Sequence, residues 1–399
     1  MLSLDAALVQ MLAAAPTVSG VEVLDTACAG GRVLALPVPA RVDVPPDDNA
    51  QMDGYAVRCA DLTQVPATLP VRLRVAAGQV PGILAAGAAA RIFTGAAIPA
   101  GCDAVVMQEA ARAQGDSVQI LELPRPGQWI RRRGSDLSCG AVALDAGQAL
   151  RAQHLGIAAS VGAAQLTVVR RPRVALFCTG DELMTPGDAP LPGRIYNSNR
   201  YVLAGLLRAL GCDVQDLGIV RDNLGATQQT LQRAAADADV IVSSGGVSVG
   251  EEDHVKAALA SMGELDLWQI AMKPGKPLAF GRVGSVPFIG LPGNPVSSFV
   301  TFVMLVRPFL LRTMGAVQVQ PRSALVRADF DRAPDPVRRE LLRVRINEAG
   351  GLDVAASQNS ALLSSVAWSD GLANIPAGTA ISKGQMVHYL PLSELAGPP

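Results

Sequence analysis

The chain contains 399 residues, of which 49% are hydrophobic and 17% are charged, and its formal net charge is −1. One hydrophobic core does not usually serve a chain of this length, so two to four domains are expected. The near-neutral charge argues against nucleic acid as a partner, because nucleic-acid binding requires an excess of clustered basic residues.

The N-terminus, the cysteines and the histidines bear on location and cofactors. Residues 1–15 carry Asp5 and Gln10 within an apolar pattern of helical spacing, unlike a secretory leader. No stretch approaches the roughly 18 uncharged apolar residues that span a bilayer. Six scattered cysteines without a CxxC pair favour buried free thiols over disulfides, and three widely separated histidines argue against zinc. We therefore expect a soluble, cytoplasmic protein with no membrane partner.

The first 170 residues change character twice. Residues 1–48 contain two apolar helical patterns and end in a proline-rich stretch, which is typical of a boundary or an extended crossing. Residues 49–138 show short alternating runs between Gly/Pro turns, for example 71–75, and predict a β-rich domain. Residues 139–170 return to the earlier character, with a helix start near 153–158. We infer that the first and third segments form one discontinuous domain into which the β-rich domain is inserted.

Residues 171–320 alternate strands with helices, which predicts a mostly parallel sheet with right-handed crossovers. In such sheets, ligands bind beyond the carboxyl ends of the strands. Polar turns follow three predicted strands at that edge, at 179–182, 221–222 and 243–246. A binding site is therefore expected at this edge of the sheet.

The remaining residues predict one long helix and a β domain. Residues 297–314 have the most apolar helical pattern, and Pro308 is expected to kink it or to begin a second helix. Alternating runs such as 341–346 then predict a C-terminal β-barrel over residues 321–399. The expected fold class is multidomain α/β.

The turn at 243–253 combines glycines with a following helix start. Backbone N–H groups at the glycines and the helix N-terminus suit a phosphate, although a tight turn alone explains the glycines equally well. Asp253 is either a helix N-cap or a carboxylate that needs a divalent cation beside the phosphate. Asp222, at the neighbouring turn, supplies a second carboxylate, and such an oxygen-rich site completed by phosphate suits Mg²⁺.

Two proline-locked loops follow this turn. The loop 273–277 holds Lys273 and Lys276, although only four of the 34 basic residues in the chain are lysine. A plain exposed turn would be expected to carry arginine here, so the two ammonium groups favour contact with an oxyanion. The loop 291–298 has the same design and leads into a helix, where Ser297 is either the N-cap or an anion ligand.

The β-rich segment has three dense polar sites, at 47–56, 91–96 and 131–136. The third contains three consecutive arginines beside Gly134 and Asp136. A triple arginine is usually a solvated face, but it would also suit a phosphorylated, polyanionic substrate.

Seven strings in this chain resemble, in order, the molybdopterin molybdenumtransferase family, which includes bacterial enzymes, the plant Cnx E domain and the gephyrin E domain. They are MDGYA (52–56), RIFTGA (91–96), RRRGSD (131–136), CTGDEL (178–183), SGGVSVGEED (244–253), KPGKPLAFG (273–281) and LPGNPVSS (291–298). Any single string is weak, but seven in order along the whole chain are specific to this family.

The resemblance implies four domains and a dimer. The domains are a discontinuous linker domain (1–48 and 139–170), an inserted β-rich domain (49–138), an α/β molybdopterin-binding domain related to the molybdopterin adenylyltransferases (171–320), and a β-barrel (321–399). The dimer is an elongated homodimer in which the inserted domain of one subunit faces the α/β domain of the other. Each active site is then shared between two subunits.

The resemblance also implies the site residues. The catalytic positions are Asp53, Thr94, Asp136, Glu182, Asp222 and Asp253, and the last two also bind Mg²⁺. The substrate-binding positions are Ser244, Gly245, Gly246, Ser248, Lys273, Lys276, Pro277, Pro292, Pro295, Ser297, Arg343 and Ser360. The chain departs from the family pattern at His254, where tyrosine is usual, and at Leu341, where an aromatic residue is usual.

The implied activity completes molybdenum cofactor. With Mg²⁺ present, molybdate is inserted into adenylylated molybdopterin and AMP leaves, with molybdate held by Lys273, Arg343 and Ser360. No protein nucleophile is required.

Adenylyl transfer to molybdopterin is one alternative function, and the extra domains and the KPGKP loop argue against it. A gephyrin-like scaffold is the other, for which no partner motif is present. Besides the second subunit, the candidate partners are the molybdopterin adenylyltransferase and the maturation proteins of molybdoenzymes.

Overall fold

The computed structural model describes residues 1–246 and 254–397. Within these ranges the α-helices are, in chain order, Leu4–Ala14 (α1), Ala152–Ser160 (α2), Ser198–Ala209 (α3), Leu224–Asp237 (α4), His254–Met262 (α5), Pro295–Thr301 (α6), Arg307–Thr313 (α7), Ser364–Trp368 (α8) and Leu392–Leu395 (α9). A π-helical turn, Phe302–Val306, joins α6 to α7 without a break.

The first segment contains one predicted helix and one strand in place of the second helix. α1 begins after the N-cap Ser3, whose hydroxyl accepts a hydrogen bond from the Ala6 N–H. The next regular element is the strand Val21–Asp25 (β1), and a short strand, Val38–Pro39 (β2), follows it. The prediction of a second helix was wrong because alternating β-branched residues favour a strand when a partner strand is present.

Most strands of the β-rich stretch form one sheet. The strands are Asn49–Ala50 (β3), Gly54–Val57 (β4), Ala67–Val75 (β5), Ala89–Ile92 (β6), Ala104–Met107 (β7), Ala111–Gln114 (β8), Ser117–Ile120 (β9) and Ile130–Arg131 (β10). The sheet has the order β7-β4-β6-β5-β9-β8, and β3 pairs with β10. Two hydrophobic clusters, both built from residues 50–130, form the core on its faces.

After the β-rich stretch the chain pairs with its own first segment. The strand Val142–Leu144 (β11) pairs with β2, and Gln165–Val169 (β12) pairs with β1, both antiparallel. One hydrophobic cluster joins Ala29 and Leu34 from the first segment to Leu150 and Val168 from the second. Residues on either side of the β-rich stretch therefore share one core.

The next region is built on a six-stranded mixed sheet. Its strands and short neighbours are Arg173–Thr179 (β13), Leu183–Met184 (β14), Ile195–Tyr196 (β15), Asp213–Val220 (β16), Val240–Ser244 (β17), Gly263–Gln269 (β18), Met272–Lys273 (β19), Pro277–Val283 (β20) and Val286–Leu291 (β21). The sheet order is β16-β13-β17-β21-β20-β18. The first four strands are parallel, as predicted, while β20 and β18 add antiparallel pairings.

The long apolar helix that was predicted after this sheet is present, and it runs from Pro295 to Thr313. Pro308 lies in the first turn of α7, directly after the π-helical turn, and the helix continues through it instead of beginning anew there. Among the described residues this helix is long and apolar enough to cross a membrane, but 89% of its 18-residue window is buried inside the protein. That burial is the environment of a core helix.

The C-terminal region is a third six-stranded sheet. Its strands after β19 are Ala324–Arg327 (β22), Arg339–Ile346 (β23), Leu352–Val354 (β24), Gly371–Ile375 (β25) and Met386–Pro391 (β26). The order is β19-β23-β25-β26-β22, with β24 also paired to β23. The alternating pattern of 341–346 does not produce alternating burial, because Leu341 packs into the α/β core and Leu342 into the core of this sheet.

All six cysteines are free thiols. Cys178 and Cys212 are buried, whereas Cys28 and Cys139 are exposed. The prediction of buried thiols was therefore wrong for Cys28 and Cys139.

Candidate functional site

A cleft of about 660 Å³ opens at the carboxyl edge of the parallel strands, where a ligand site was expected. Its walls come from the ends of β13 and β17, the start of α3, and the loop between β21 and α6. Nine predicted site residues line it: Glu182, Asp222, Ser244, Gly245, Gly246, Pro277, Pro292, Pro295 and Ser297. The fold thus brings together residues that are more than 100 positions apart in the sequence.

The floor of the cleft is held by a buried hydrogen-bond network. The amide nitrogen of Asn199 donates to the Ser244 hydroxyl at 2.9 Å and to the Gly293 carbonyl at 2.7 Å. The Ser244 hydroxyl in turn donates to the Pro292 carbonyl at 3.1 Å. Because buried polar groups that satisfy one another fix their elements, this network locks α3, β17 and the loop before α6 together.

The turn after β17 requires glycine at Gly245. This residue has φ +94°, and a Cβ there would lie 2.3 Å from the Thr179 carbonyl oxygen. The Thr179 side chain also lines the cleft, and its buried hydroxyl has no hydrogen-bond partner within the described ranges. A glycine backbone and a free hydroxyl at one wall are features of a site for a polar ligand.

Two carboxylates face the cleft, from Glu182 and Asp222. Glu182 is exposed and lies over Gly180, and the Asp222 N–H donates to the Asp181 carboxylate at 3.3 Å. Asp253 and Ser248 lie outside the described residues, so the proposed Asp222/Asp253 pair is not seen as a pair. Mg²⁺ commonly takes one or two carboxylates and completes its shell with water and phosphate, so the cleft residues fit this ion.

The entrance of α6 differs from the prediction. The helix begins at Pro295 with Asn294 as its N-cap, so Ser297 is a buried first-turn residue and not the cap. The Val296 N–H, one of the free donors of the first turn, donates to the Ser360 carbonyl at 3.0 Å. Ser360 is thereby tied to the cleft wall, next to the lining residue Ala361.

The loop 273–277 joins the cleft to the C-terminal sheet. A Cβ at Gly275, where φ is +109°, would lie 2.5 Å from the Thr301 hydroxyl, so the loop packs directly on α6. Its last residue, Pro277, lines the cleft, and the adjacent Lys276 is exposed without an ion pair in the described part of the chain. Lys276 is therefore a free cation at the edge of the cleft.

Lys273, at the other end of this loop, belongs to an ion-pair network and does not line the cleft. Its ammonium lies 3.1 Å from the Glu340 carboxylate and 4.0 Å from that of Asp335. Arg332 pairs with the same Glu340. Burial alone would raise the pKa of Glu340, but hydrogen bonds from Arg332 and Lys273 outweigh it and hold the pKa below its ordinary value.

Arg343 lies three residues after Glu340 on β23, and it has no carboxylate partner in the described structure. Its side chain is 1% exposed and donates only long hydrogen bonds, to the Ser365 hydroxyl at 3.3 Å and to two carbonyls at 3.4 and 3.5 Å. The more distant of these carbonyls belongs to Asn359, adjacent to Ser360. Burial lowers the pKa of Arg343 to about 10, and repulsion from Arg332 adds to this. No carboxylate lies within 4 Å of it among the described residues.

Three predicted site residues of the β-rich stretch, Asp53, Thr94 and Asp136, lie outside the cleft. The Asp53 carboxylate accepts hydrogen bonds from the Thr94 N–H at 2.7 Å and hydroxyl at 2.8 Å, and both bonds lower the pKa of Asp53. Asp136 is exposed. None of the three lines the cleft of its own chain in the described structure. Two arginines of the triple-arginine string, Arg132 and Arg133, pair with nearby aspartates.

Sequence reasoning missed two asparagines of the site. Asn197 is the N-cap of α3 and accepts a hydrogen bond from the Arg200 N–H at 3.1 Å, while Asn199 anchors the floor of the cleft. The signal was the string NSN (197–199) at the start of an amphipathic helix, because asparagine is a preferred N-cap. The partners of Asn199, which lie 45 and 94 residues away, leave no mark on the local sequence.

Three family models match successive parts of the chain. They describe the MoeA N-terminal region (domain I and II) over residues 2–162, a probable molybdopterin binding domain over 175–312, and the MoeA C-terminal region (domain IV) over 326–392. Together these matches extend over most of the sequence.

Curated relatives and a solved structure agree with these models. A molybdopterin molybdenumtransferase from Nostoc sp. is 39% identical over 387 residues, which cover 93% of this chain and 88% of that protein. The molybdopterin molybdenumtransferase of Haemophilus influenzae is 38% identical and matches over the full length of both chains. The structure of the molybdopterin biosynthesis MoeA protein from Pyrococcus horikoshii OT3 is 28% identical and covers 98% of this chain and 100% of that one, with a TM-score of 0.85. This chain therefore belongs to the molybdopterin molybdenumtransferase family, as its seven strings predict.

Proposed function

We propose that this chain inserts molybdate into adenylylated molybdopterin and releases AMP. The observation that carries the proposal is the cleft at the carboxyl edge of the sheet, which is lined by the backbone of Gly245 together with Glu182 and Asp222. This combination suits a phosphoanhydride whose charge is balanced by a divalent cation. The relatives' names supply the substrate class, and neither adenylyl transfer nor a scaffold role is favoured by them.

Each group in and near the cleft has a role in this proposal. The backbone around Gly245 and Gly246 binds the phosphates, while Ser297 and the proline-locked loops shape the pterin pocket. Mg²⁺ held by Asp222 and Asp253 would supply positive charge that neutralises the leaving phosphate. Arg343, Lys276 and the Ser360 region supply the positive side on which molybdate binds next to the dithiolene sulfurs.

A protein nucleophile has no place in this reaction. Cys178 lines the cleft, but burial raises the pKa of its thiol to about 11. A thiol with this pKa is protonated at neutral pH and is a poor nucleophile. The chain therefore binds and orients the two substrates, and the dithiolene sulfurs themselves capture molybdenum.

The reaction is tested by incubating the purified chain with adenylylated molybdopterin, Mg²⁺ and molybdate, and measuring AMP by chromatography. We expect AMP release that requires both molybdate and the divalent cation. A chain that instead adenylylates molybdopterin from ATP, and releases no AMP in response to molybdate, would contradict the proposal.

We also propose that the active site is completed by a second subunit. Asp53, Thr94 and Asp136 lie away from the cleft of their own chain, which supports a role in the cleft of the partner. Mixed heterodimers of Asp53→Ala and Asp222→Ala chains should recover activity, because one of their two sites is then wild type at both positions. Verified heterodimers without activity would contradict the shared site.

The four-domain division, the closed C-terminal barrel and a cytoplasmic location remain parts of this proposal. Hydrophobic clusters confined to the linker, β-rich, α/β and C-terminal stretches support the division, whereas one further cluster joins Leu4, Val174 and Leu372 across three of these domains. An isolated bridge between Ala328, directly after β22, and Leu352 of β24 supports closure, because it connects one edge of the C-terminal sheet to the strand beside β23.

A further inference from the structure

A second cavity, of about 350 Å³, lies apart from the cleft. Its lining comes from residues 145–154, which precede and begin α2, from α7, from residues 317–322 after α7, and from Glu394 of α9. Within the described ranges no residue lines both cavities. The proposed reaction uses none of the residues of this second cavity.

Arg307 is a buried cation in the wall of this cavity. Its side chain is 5% exposed, and its hydrogen bond is a long one, 3.5 Å from a terminal nitrogen to the Val319 carbonyl. Its Nε has no partner, and no carboxylate lies within 4 Å of the guanidinium among the described residues. A buried charge without a counter-charge is costly, so its presence calls for an anion that completes the site.

The other charged groups around the cavity leave a positive excess. Arg151 and Arg322 add two guanidinium groups to that of Arg307, against the carboxylates of Asp145 and Glu394. Glu394 is already shared, because it lies 3.7 Å from Arg151. Side-chain amides complete the polar lining and can donate to or accept from a ligand: Gln148, Gln153, Gln318 and Gln320.

From this arrangement we propose that the cavity is a binding site for a small molecule that carries an oxyanion, such as a phosphate group. Guanidinium groups match the planar oxygen pairs of phosphate and carboxylate better than any other side chain. The volume of about 350 Å³ lies at the lower end of the range of small-molecule sites. A ligand here contacts residues 145–154, α7 and the segment leading to the C-terminal sheet, and so stabilises their mutual arrangement.

Inorganic phosphate is the probe for this site, measured by calorimetry and by the melting temperature of the full chain. We expect saturable binding to the wild type and a rise in melting temperature with phosphate. Arg307→Met should weaken phosphate binding at least tenfold, and Arg322→Gln, at an exposed position of the lining, about threefold. Arg312→Met is the matched control, since Arg312 is exposed on the same helix and does not line the cavity.

The comparison of wild type with Arg307→Met isolates this cavity from the cleft, because phosphate bound in the cleft would bind both proteins equally. Equal phosphate affinity in these two proteins, or no saturable binding by the wild type, overturns the proposal. If Arg307→Met does not fold, an Arg322→Gln affinity equal to that of the wild type overturns it instead. Glycerol 3-phosphate, a phosphate ester, tests whether the natural ligand is an organic phosphate or free phosphate. Tighter binding than that of inorganic phosphate indicates an organic ligand, and equal binding indicates the free ion. AMP release plays no part in these measurements, so their failure leaves the proposed function intact.

Discussion

The edge of the cleft and the neighbouring ion-pair network use the same kinds of cation in opposite ways. In the network, Lys273 and Arg332 share the buried Glu340, so their charges are neutralised within the chain. Near the cleft, Lys276 and Arg343 have no carboxylate partner in the described structure. A cation with a protein counter-charge supports the fold, and one without a counter-charge is available to an oxyanion. The difference lies in the partners and not in the residue types.

The largest expected effect is the loss of the unpaired arginine. Arg343→Met should reduce AMP release on the order of 100-fold, because a preorganised charge beside the reacting oxyanion disappears. The melting temperature should change little, since an apolar side chain of similar length replaces a buried cation with only long hydrogen bonds. Arg345→Met is the control, because Arg345 is exposed on the same strand and stacks on Trp368. Activity of Arg343→Met within twofold of wild type would remove Arg343 from the site.

The two lysines of one loop test the comparison directly. Lys276→Gln should raise the molybdate concentration for half-maximal AMP release about tenfold at an unchanged melting temperature. Lys273→Gln should instead cost about 1 kcal/mol of stability, because Glu340 loses one of its two cations, and should leave molybdate dependence unchanged. If Lys273→Gln instead raises the molybdate requirement and Lys276→Gln does not, Lys273 contacts molybdate, as the sequence predicts.

Acid should weaken the ion-pair network around Lys273 by protonating Asp335. Hydrogen bonds from the Arg338 backbone and side chain hold the pKa of Asp335 at about 2, below its ordinary value of 3.8. A carboxyl with a lowered pKa stabilises the fold above pH 4, and this contribution is lost as the pH falls toward 2. The melting temperature, followed by circular dichroism, should therefore drop between pH 4 and 2, and less steeply in Asp335→Asn. Asp116→Asn, at an exposed turn, should keep the wild-type slope; equal slopes in all three proteins would show that Asp335 contributes nothing.

The smallest effect is expected at the cleft thiol. Cys178→Ala should keep AMP release within about twofold of wild type, because a thiol with a pKa near 11 takes no covalent part. Initial rates at saturating substrate measure this, with Cys212→Ala as the buried control outside the cleft. A loss of 100-fold in Cys178→Ala alone would mean that the cleft uses a nucleophile after all.

Local sequence patterns predict most elements of the α/β region but not the contacts between them. The strands around 174–177 and 240–242 and the helices between them are confirmed. Their hydrophobic runs and the asparagine caps are local signals, so one sequence suffices to find them. The edge at which the cleft lies follows from the parallel direction of the strands, which the alternation of strands and helices predicts.

Long-range partners explain what the sequence did not predict. β1 is a strand only because β12, far along the chain, pairs with it. Lys273 was expected at an oxyanion because lysine is rare among the basic residues of this chain, and its counter-charge from Glu340, 67 positions away, was not predicted. For Ser297 the sequence allows a helix cap or an anion ligand, and only the cap is wrong, because Pro295 starts the helix two residues earlier. The strand β1, the start of α6 and the counter-charge of Lys273 each depend on a contact or boundary that one stretch of sequence does not encode, and molybdate contact by Lys273 stays a prediction.

The pairing of β1 with β12 has a consequence for biosynthesis on the ribosome. Val21 pairs with Val169, so the first core cannot close until the whole β-rich stretch has left the ribosome. At ordinary rates of synthesis, the time between the synthesis of Val21 and that of Val169 is roughly 7 to 30 s. The β-rich stretch, with its own hydrophobic clusters, can fold during this time. The β-rich stretch then folds before the core that flanks it. Until β12 is synthesised, β1 is an unpaired strand, and such an exposed strand is a target for chaperones.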